Sequence, residues 1–175
     1  HLDWLNRSAA SEMAAWWLGR AAPPVDGQEQ PRSKLFRSTG MAVLRGECAE
    51  VIVDVGPFGP GSAGHSHADT LQVLVRRGGR ELVIDPGTFT YNADSVRELF
   101  RGAAAHATVR VENLSQAEPL GAFRWASPPT VRVLGWESGP ESDWLAAECG
   151  YGGLRHRRAI LFDKTQPRLW VADWL

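Results

Sequence analysis

Two histidines one residue apart lie in a glycine-rich stretch, GSAGHSHADTLQVLVRRGGRELVIDPG, at residues 61–87. In an extended chain, side chains two positions apart project to the same side, so we expect His65 and His67 to point together. The small residues before this pair would let a ligand approach the backbone closely. The pair is therefore a candidate catalytic or metal site, although these residues alone equally allow a solvated loop containing two imidazoles.

Asp85 and His106 are the residues that could complete a site around this pair. The sequence RRGGRE predicts a tight turn between strands at 70–76 and 80–84, and such a hairpin would return Asp85 to the neighbourhood of His67. Two neutral imidazoles and one carboxylate suit zinc or a similar divalent cation. Asp-Pro-Gly is also an ordinary turn sequence, and an isolated histidine among alanines is also typical of a hydrogen-bonded core residue. Both structural alternatives stay open at this point.

Short strands dominate the chain from Leu35 onward, because β-branched or alternating runs are separated by glycine and proline. The predicted strands are 41–45, 50–55, 70–76, 80–84, 107–112, 130–136, 143–149, 155–163 and 168–174. One helical insertion is predicted at 94–104, with Asp94 as a candidate N-cap. Many short strands at regular spacing predict a mainly β fold, an antiparallel β-sandwich.

The first part of the chain has a different pattern. LDWLNRSAASEMAAWWLGR predicts a short amphipathic helix with Ser11 as its N-cap and Gly19 as its end. Three prolines and no periodicity follow, which indicates a linker. We therefore divide the chain into a helical segment at 1–22, a linker at 23–34 and a β domain at 35–175. The start at His1 and the apolar end RLWVADWL make us expect a longer parent protein.

Composition excludes several classes of partner. The formal net charge is -1, from 19 Lys+Arg and 20 Asp+Glu, so no basic excess favours nucleic acid or an anionic membrane. The sequence contains no run of about 18 apolar residues, which is the length needed to span a bilayer. The two cysteines, Cys48 and Cys149, either pair with each other or remain as thiols.

Four segments in this order resemble the heparinase II/III-like family of polysaccharide lyases: GHSHADTLQVLV, ELVIDPGTFTYN, FRGAAAHATVRV and HRRAILF. The resemblance covers roughly residues 35–175. It implies a supersandwich-like β domain that packs against its own N-terminal α/α toroid, with residues 1–22 as the end of that toroid and more strands after Leu175. It also implies a periplasmic or secreted protein.

The resemblance also implies a chemistry and a role for individual residues. The family cleaves acidic, uronate-containing polysaccharides by β-elimination, and His65 would be its catalytic histidine on this domain. His67, Asp85 and His106 would hold a structural zinc ion, and Tyr91 would assist in the cleft. Further catalytic residues would come from the toroid, so residues 1–175 alone would be catalytically incomplete.

Arg97 and Arg101 are candidate substrate-binding residues, because four-residue spacing places both on one face of the predicted helix. Their guanidinium groups could meet carboxylates or sulfates, although a solvated helix face explains them equally well. His156 reads as a structural strand residue. Ala107 departs from the asparagine that commonly follows the third histidine in the family, so a polar contact near the metal would be missing.

Two alternatives belong to other classes of protein. A cupin-like metal enzyme also carries two histidines in this pattern, but it has a glutamate shortly afterwards, and none follows His67 before Glu81. A non-catalytic carbohydrate-binding or assembly module would use some of the eight tryptophans for stacking on sugars. Core packing in strands explains Trp125, Trp136, Trp144 and Trp170 as well.

Overall fold

A computed structural model describes residues 32–92 and 95–175. The predicted helix within 1–22, the linker as far as residue 31 and the N-cap at Asp94 lie outside the described residues. Arg32–Leu175 forms one compact unit.

Five antiparallel strands that follow one another along the chain form the first sheet. They are β1 (Lys34–Phe36), β2 (Met41–Arg45), β3 (Ala49–Asp54), β4 (Val73–Arg77) and β5 (Arg80–Val83). Gly78 and Gly79 connect β4 to β5 with φ angles of 55° and 76°. Two consecutive left-handed residues suit a two-residue hairpin turn, and glycine adopts them without steric cost. The tight turn predicted from RRGGRE is confirmed.

The second half of the chain contains a two-stranded ribbon and a four-stranded antiparallel sheet. The ribbon pairs β6 (Glu118–Pro119) with β7 (Trp125–Ala126). The sheet contains β8 (Thr130–Ser138), β9 (Ser142–Tyr151), β10 (Leu154–Asp163) and β11 (Arg168–Trp174). Buried and solvent-facing residues alternate along β9 and β10, as expected for strands with one face on a core.

The core lies between the two sheets. Its buried side chains from both sheets include Leu44, Val51, Val53, Leu145, Ala147, Cys149, Ile160 and Phe162. Burial of each large apolar side chain contributes about 1.5–3 kcal/mol, so this layer holds the sheets together. The predicted antiparallel β-sandwich is therefore confirmed. Cys149 is buried within it whereas Cys48 is exposed, and both are free thiols.

The strand predicted at 107–112 is wrong, because only an isolated bridge between Val111 and Leu114 forms there. The backbone of this segment has other partners. The Ala107 carbonyl accepts hydrogen bonds from the Val73 N–H at 3.2 Å and from Arg158 at 2.9 Å. These tertiary contacts outweigh the strand propensity of its β-branched residues.

The helical insertion predicted at 94–104 corresponds to helix α1 (Ser95–Arg101) and a 3₁₀ turn (Ala103–Ala105), which ends at His106. No helix in residues 32–92 or 95–175 is long and apolar enough to cross a membrane. The insertion lies between β5 and His106 in the chain.

Candidate functional site

Three connections bring the predicted chemistry together at one place. The segment between β3 and β4 carries His65 and His67, Asp85 follows β5, and His106 follows the 3₁₀ turn. A polar depression is lined by Asp54, His65, His67, Asp69 and Asp85, among others. The hairpin therefore returns Asp85 to the histidine pair, as its turn sequence predicted.

Within this depression, three side chains are spaced to share one cation. The candidate ligand atoms of His67, Asp69 and His106 all lie within 4.8 Å of one another, and the two imidazole centroids are 5.2 Å apart. Two imidazoles and a carboxylate match the donor preference of zinc and similar divalent ions. The sequence reasoning missed Asp69, although it follows His67 by the same two-residue step that separates His65 from His67.

Asp85 contacts His106 directly. Its Oδ2 is 3.1 Å from Nδ1 of His106, and its Oδ1 accepts the Gly87 N–H at 2.7 Å. Nε2 of His106 is buried, without a hydrogen-bond partner of normal geometry in the described residues. A carboxylate on one ring nitrogen commonly orients an imidazole whose other nitrogen binds a metal. The cluster thus fits a metal, and a direct ligand role for Asp85 stays a prediction from the resemblance.

The surroundings favour the neutral form of both imidazoles. Burial lowers the pKa of His67, and the positive charge that His106 can carry lowers it further. Burial also lowers the pKa of His106, against the opposing influence of Asp85. Because a neutral imidazole is the form that binds metals, these shifts keep both rings ready to act as ligands.

The pKa values of two carboxyl groups in the depression are shifted in opposite directions. Burial, followed by the nearby Asp54, raises the pKa of Asp69 to about 7. Burial also acts to raise the pKa of Asp85, but hydrogen bonds from the backbone and from His106 outweigh it and lower the value. Several acidic groups close together in a partly buried site are typical of places where a cation binds.

His65 has a different setting from His67. Its side chain is exposed and belongs to an aromatic group with Tyr91 and Phe123. The ring centroid of His65 is 5.8 Å from that of Tyr91 and 6.0 Å from that of Phe123, with edge-to-face geometry in both cases. The family resemblance implied that His65 and Tyr91 both serve the cleft, but nothing in the sequence pointed to Phe123.

The structure corrects the expectation that Arg97 and Arg101 face substrate. They do lie on one face of α1, but that face points inward, and they are 1% and 0% exposed. Arg101 forms an ion pair with Glu98 and lies 4.3 Å from the Trp125 ring centroid. The Trp125 ring in turn donates a hydrogen bond to the Ser66 carbonyl, so Arg101 supports the histidine segment from behind.

The family model for the heparinase II/III-like C-terminal domain matches residues 28–175. The chain belongs to this family. It has the fold of solved heparinases: heparan sulfate lyase HepC from Pedobacter heparinus is 19% identical with a TM-score of 0.65, and a heparinase III is 23% identical with a TM-score of 0.66. No curated protein sequence matches the chain.

The matched regions are unequal in extent. The alignment covers 98% of this chain but 26% of the HepC chain, and 83% of this chain but 23% of the heparinase III chain. This heparinase II/III-like domain thus spans about a quarter of the solved structures that it resembles.

One buried residue of the domain fastens two site segments to the second sheet. Arg158 of β10 donates hydrogen bonds to the carbonyls of Leu71 at 2.6 Å and Ala107 at 2.9 Å, and it pairs with Asp173 through two more. Leu71 has a φ of 63°, a costly conformation for a residue other than glycine. Because Leu71 follows Asp69 and Ala107 follows His106, Arg158 fixes the spacing between two candidate ligands.

Proposed function

We propose that this domain supplies one wall of the active site of a lyase that cleaves uronate-containing polysaccharides by β-elimination. The observation that carries the proposal is the position of His65. It is exposed to solvent, contacts the Tyr91 ring and lies two residues from a candidate metal ligand. Membership of the heparinase II/III-like family supports the reaction class.

The proposed reaction needs proton transfer on both sides of one bond. A base removes the C5 proton of the uronate, the bond from C4 to the glycosidic oxygen breaks, and the electron pair left at C5 forms the C4–C5 double bond. An acid gives a proton to the departing oxygen. An imidazole can accept a proton on its free ring nitrogen, and the imidazolium ion so formed can donate a proton, so His65 suits this exchange, with the Tyr91 ring beside it.

The neighbouring cluster would hold a zinc ion as a structural element. We assign His67, Asp69 and His106 to the ion, with Asp85 at the Nδ1 side of His106. When bound, the ion would cross-link the segments that carry His67 and His106 and thereby limit the movement of His65. The ligand set predicted from the resemblance, His67, Asp85 and His106, shares both histidines with this assignment.

The test of this function is formation of the unsaturated product by the full-length protein that contains these residues. Incubation with uronate polysaccharides should increase ultraviolet absorbance, because the new double bond is conjugated with the carboxylate. His65→Ala should lower kcat by about 10²–10⁴-fold while thermal unfolding stays unchanged. An unchanged rate in this variant would contradict the role of His65.

The two tyrosines of the chain provide a matched pair for the second role. Tyr91 is 55% exposed beside His65, whereas Tyr151 is buried in the core. Tyr91→Phe should lower kcat, because it removes the only hydroxyl of the aromatic group. Tyr151→Phe removes a hydroxyl far from solvent and should leave kcat unchanged. Equal losses in both variants would contradict the assignment of Tyr91.

A second candidate function is that of a carbohydrate-binding module without catalysis. Trp144, Leu161 and Trp170 lie opposite one another on the outer face of the second sheet, and they are 38%, 41% and 48% exposed. Such a row could stack against sugars, and its exposure corrects the expectation that core packing explains both tryptophans. Binding that depends on Trp170 and produces no ultraviolet signal would favour this function. The family match and the sandwich fold argue against the cupin-like alternative.

A further inference from the structure

A single buried guanidinium organises the exposed aromatic group. Arg97 donates hydrogen bonds to the carbonyls of Gly64 at 3.3 Å, Thr90 at 3.1 Å and Ala122 at 2.8 Å. Each of these residues immediately precedes a member of the group, namely His65, Tyr91 and Phe123. One side chain therefore fixes the backbone at three points that are distant in sequence.

The same guanidinium supports the two phenyl rings. Its Cζ lies 5.0 Å from the Tyr91 ring centroid and 4.9 Å from that of Phe123. The two rings are nearly parallel, with an interplanar angle of 18° and centroids 6.0 Å apart. A cation close to both rings stabilises this arrangement, so little conformational freedom remains to be lost when a ligand binds.

Backbone packing also links His65 to Phe123. A Cβ atom on Gly64 would lie 2.8 Å from the Phe123 carbonyl oxygen and 3.2 Å from the Phe123 Cβ, both tighter than ordinary contacts. Glycine is therefore required at position 64 for the segment of Phe123 to approach that of His65. The packing of the two backbone segments therefore brings the His65 imidazole close to the Phe123 ring.

We propose that Tyr91 and Phe123 form a stacking subsite for one pyranose ring of an acidic polysaccharide, directly beside His65. This rests on the proposed function and adds Phe123 as a substrate-binding residue. The two rings are 55% and 45% exposed despite their apolar character, and both lie against the Arg97 guanidinium. Exposed, fixed aromatic rings beside a polar depression are typical of binding sites, and a sugar offers a C–H face to such rings.

The contacts distinguish this subsite from the outer tryptophan row. Only the Tyr91 and Phe123 rings lie in contact with His65 among the described aromatic side chains, so a sugar on them would also meet the imidazole. Phe36 of β1 belongs neither to this aromatic group nor to that row, and it is similarly exposed, at 40%. It is therefore the matched control for removal of an exposed aromatic ring.

The experiment compares Phe123→Ala, Phe123→Trp and Phe36→Ala in the full-length protein. Steady-state kinetics on a uronate polysaccharide are combined with calorimetric titration of a uronate tetrasaccharide. Phe123→Ala should raise KM and Kd about fivefold to twentyfold with kcat within about threefold of wild type. Phe123→Trp should restore binding, and Phe36→Ala should change neither constant.

Three results would overturn the subsite. Unchanged KM and Kd in Phe123→Ala would exclude substrate binding by this ring. If the melting temperature of that variant were also lowered, the result would show that another part of the protein covers the rings. A loss of kcat at constant Kd would show that Phe123 only positions His65. Failure of Phe123→Trp to bind better than Phe123→Ala would exclude stacking.

The failure of the subsite can be told apart from failure of the proposed function. If wild type binds the tetrasaccharide but gives no unsaturated product, and Phe123→Ala weakens that binding, the subsite holds and the lyase function does not. If wild type gives the product and Phe123→Ala behaves like Phe36→Ala, the lyase function holds and the subsite is wrong.

Discussion

Two buried histidine–aspartate pairs in this domain have different surroundings. His106 lies 3.1 Å from Asp85 at the candidate metal site, and His156 lies 2.7 Å from Asp173 where β10 meets β11. Both imidazole side chains are fully buried, and both carboxylates are about equally exposed, at 30% and 28%. The pair itself therefore does not distinguish a site from a structural contact.

The third partner distinguishes them. Asp173 receives two hydrogen bonds from Arg158, at 2.7 and 2.9 Å, so the chain supplies the positive charge there. Facing His106 are an imidazole and a carboxylate, His67 and Asp69, which are donor groups for a cation. The comparison indicates that a histidine–aspartate pair becomes a metal-site candidate where its neighbours are ligands and a structural link where its neighbour is an arginine.

The largest expected effect is on metal content. His106→Ala should reduce bound zinc from about one equivalent to background, because structural zinc sites depend on a complete donor set. His156→Ala should keep the metal, since Arg158 rather than a ligand occupies its surroundings. Elemental analysis of the purified protein measures both variants.

The result that would break the comparison is equal metal content in the two variants. His156→Ala also removes a fully buried side chain, so we expect it to lower the free energy of unfolding. Metal content is therefore measured on folded protein recovered by gel filtration, which separates loss of the site from loss of the fold.

The second effect concerns stability at the structural pair. Arg158→Met should lower the free energy of unfolding by about 2–4 kcal/mol, because it removes the Arg158 hydrogen bonds to the Asp173 carboxylate and to the carbonyls of Leu71 and Ala107. Denaturant unfolding measures the change. Arg157→Met is the matched control, since the adjacent Arg157 is half exposed and pairs with Glu148 on the outer face. A similar loss in both variants would contradict the role assigned to Arg158.

Much of the fold could be predicted from the sequence because its strands have simple one-sided burial. The alternation of LAAECGY in β9 and RAILF in β10 follows directly from one face on the core. The run at 107–112 also alternates and contains three β-branched residues, but its Ala107 carbonyl binds Arg158 and the Val73 N–H of β4. No local pattern signals such a tertiary partner, so that strand was predicted wrongly.

The candidate site shows a similar limit. Local features are enough to place Asp85 near the histidine pair, namely the two-residue spacing of His65 and His67 and the hairpin before Asp85. The sequence therefore predicted that these three residues lie close together. Arg97 and Arg101 have the right spacing for one face, but nothing local states whether that face points to solvent or inward. Phe123 reaches His65 through a contact between segments far apart in the chain, which single-sequence reasoning cannot detect.

A smaller effect would test how Asp85 acts. If it orients His106, Asp85→Asn should weaken zinc binding by about 10–100-fold without abolishing it. Competition with a chelator measures the affinity. Asp163→Asn, at the last residue of β10, is the control and should leave the zinc affinity unchanged. Complete loss of zinc in Asp85→Asn would instead make Asp85 a direct ligand, as the family resemblance implies.

The smallest expected effect is a pH dependence at the structural pair. Burial acts to raise the pKa of Asp173, but hydrogen bonds from Arg158 and His156 outweigh it and hold the value below the ordinary 3.8. Stability from this lowered pKa is fully present above about pH 3.8 and is lost as the pH falls through the lower value of the folded state. Asp173→Asn should therefore be less stable than wild type at pH 6, and the difference should shrink below pH 3.8. Unfolding midpoints measured across this pH range test the prediction. A difference between variant and wild type that stays constant with pH would show that the charge of Asp173 contributes nothing to stability. Only the shape and the hydrogen bonds of Asp173 would then link β10 and β11.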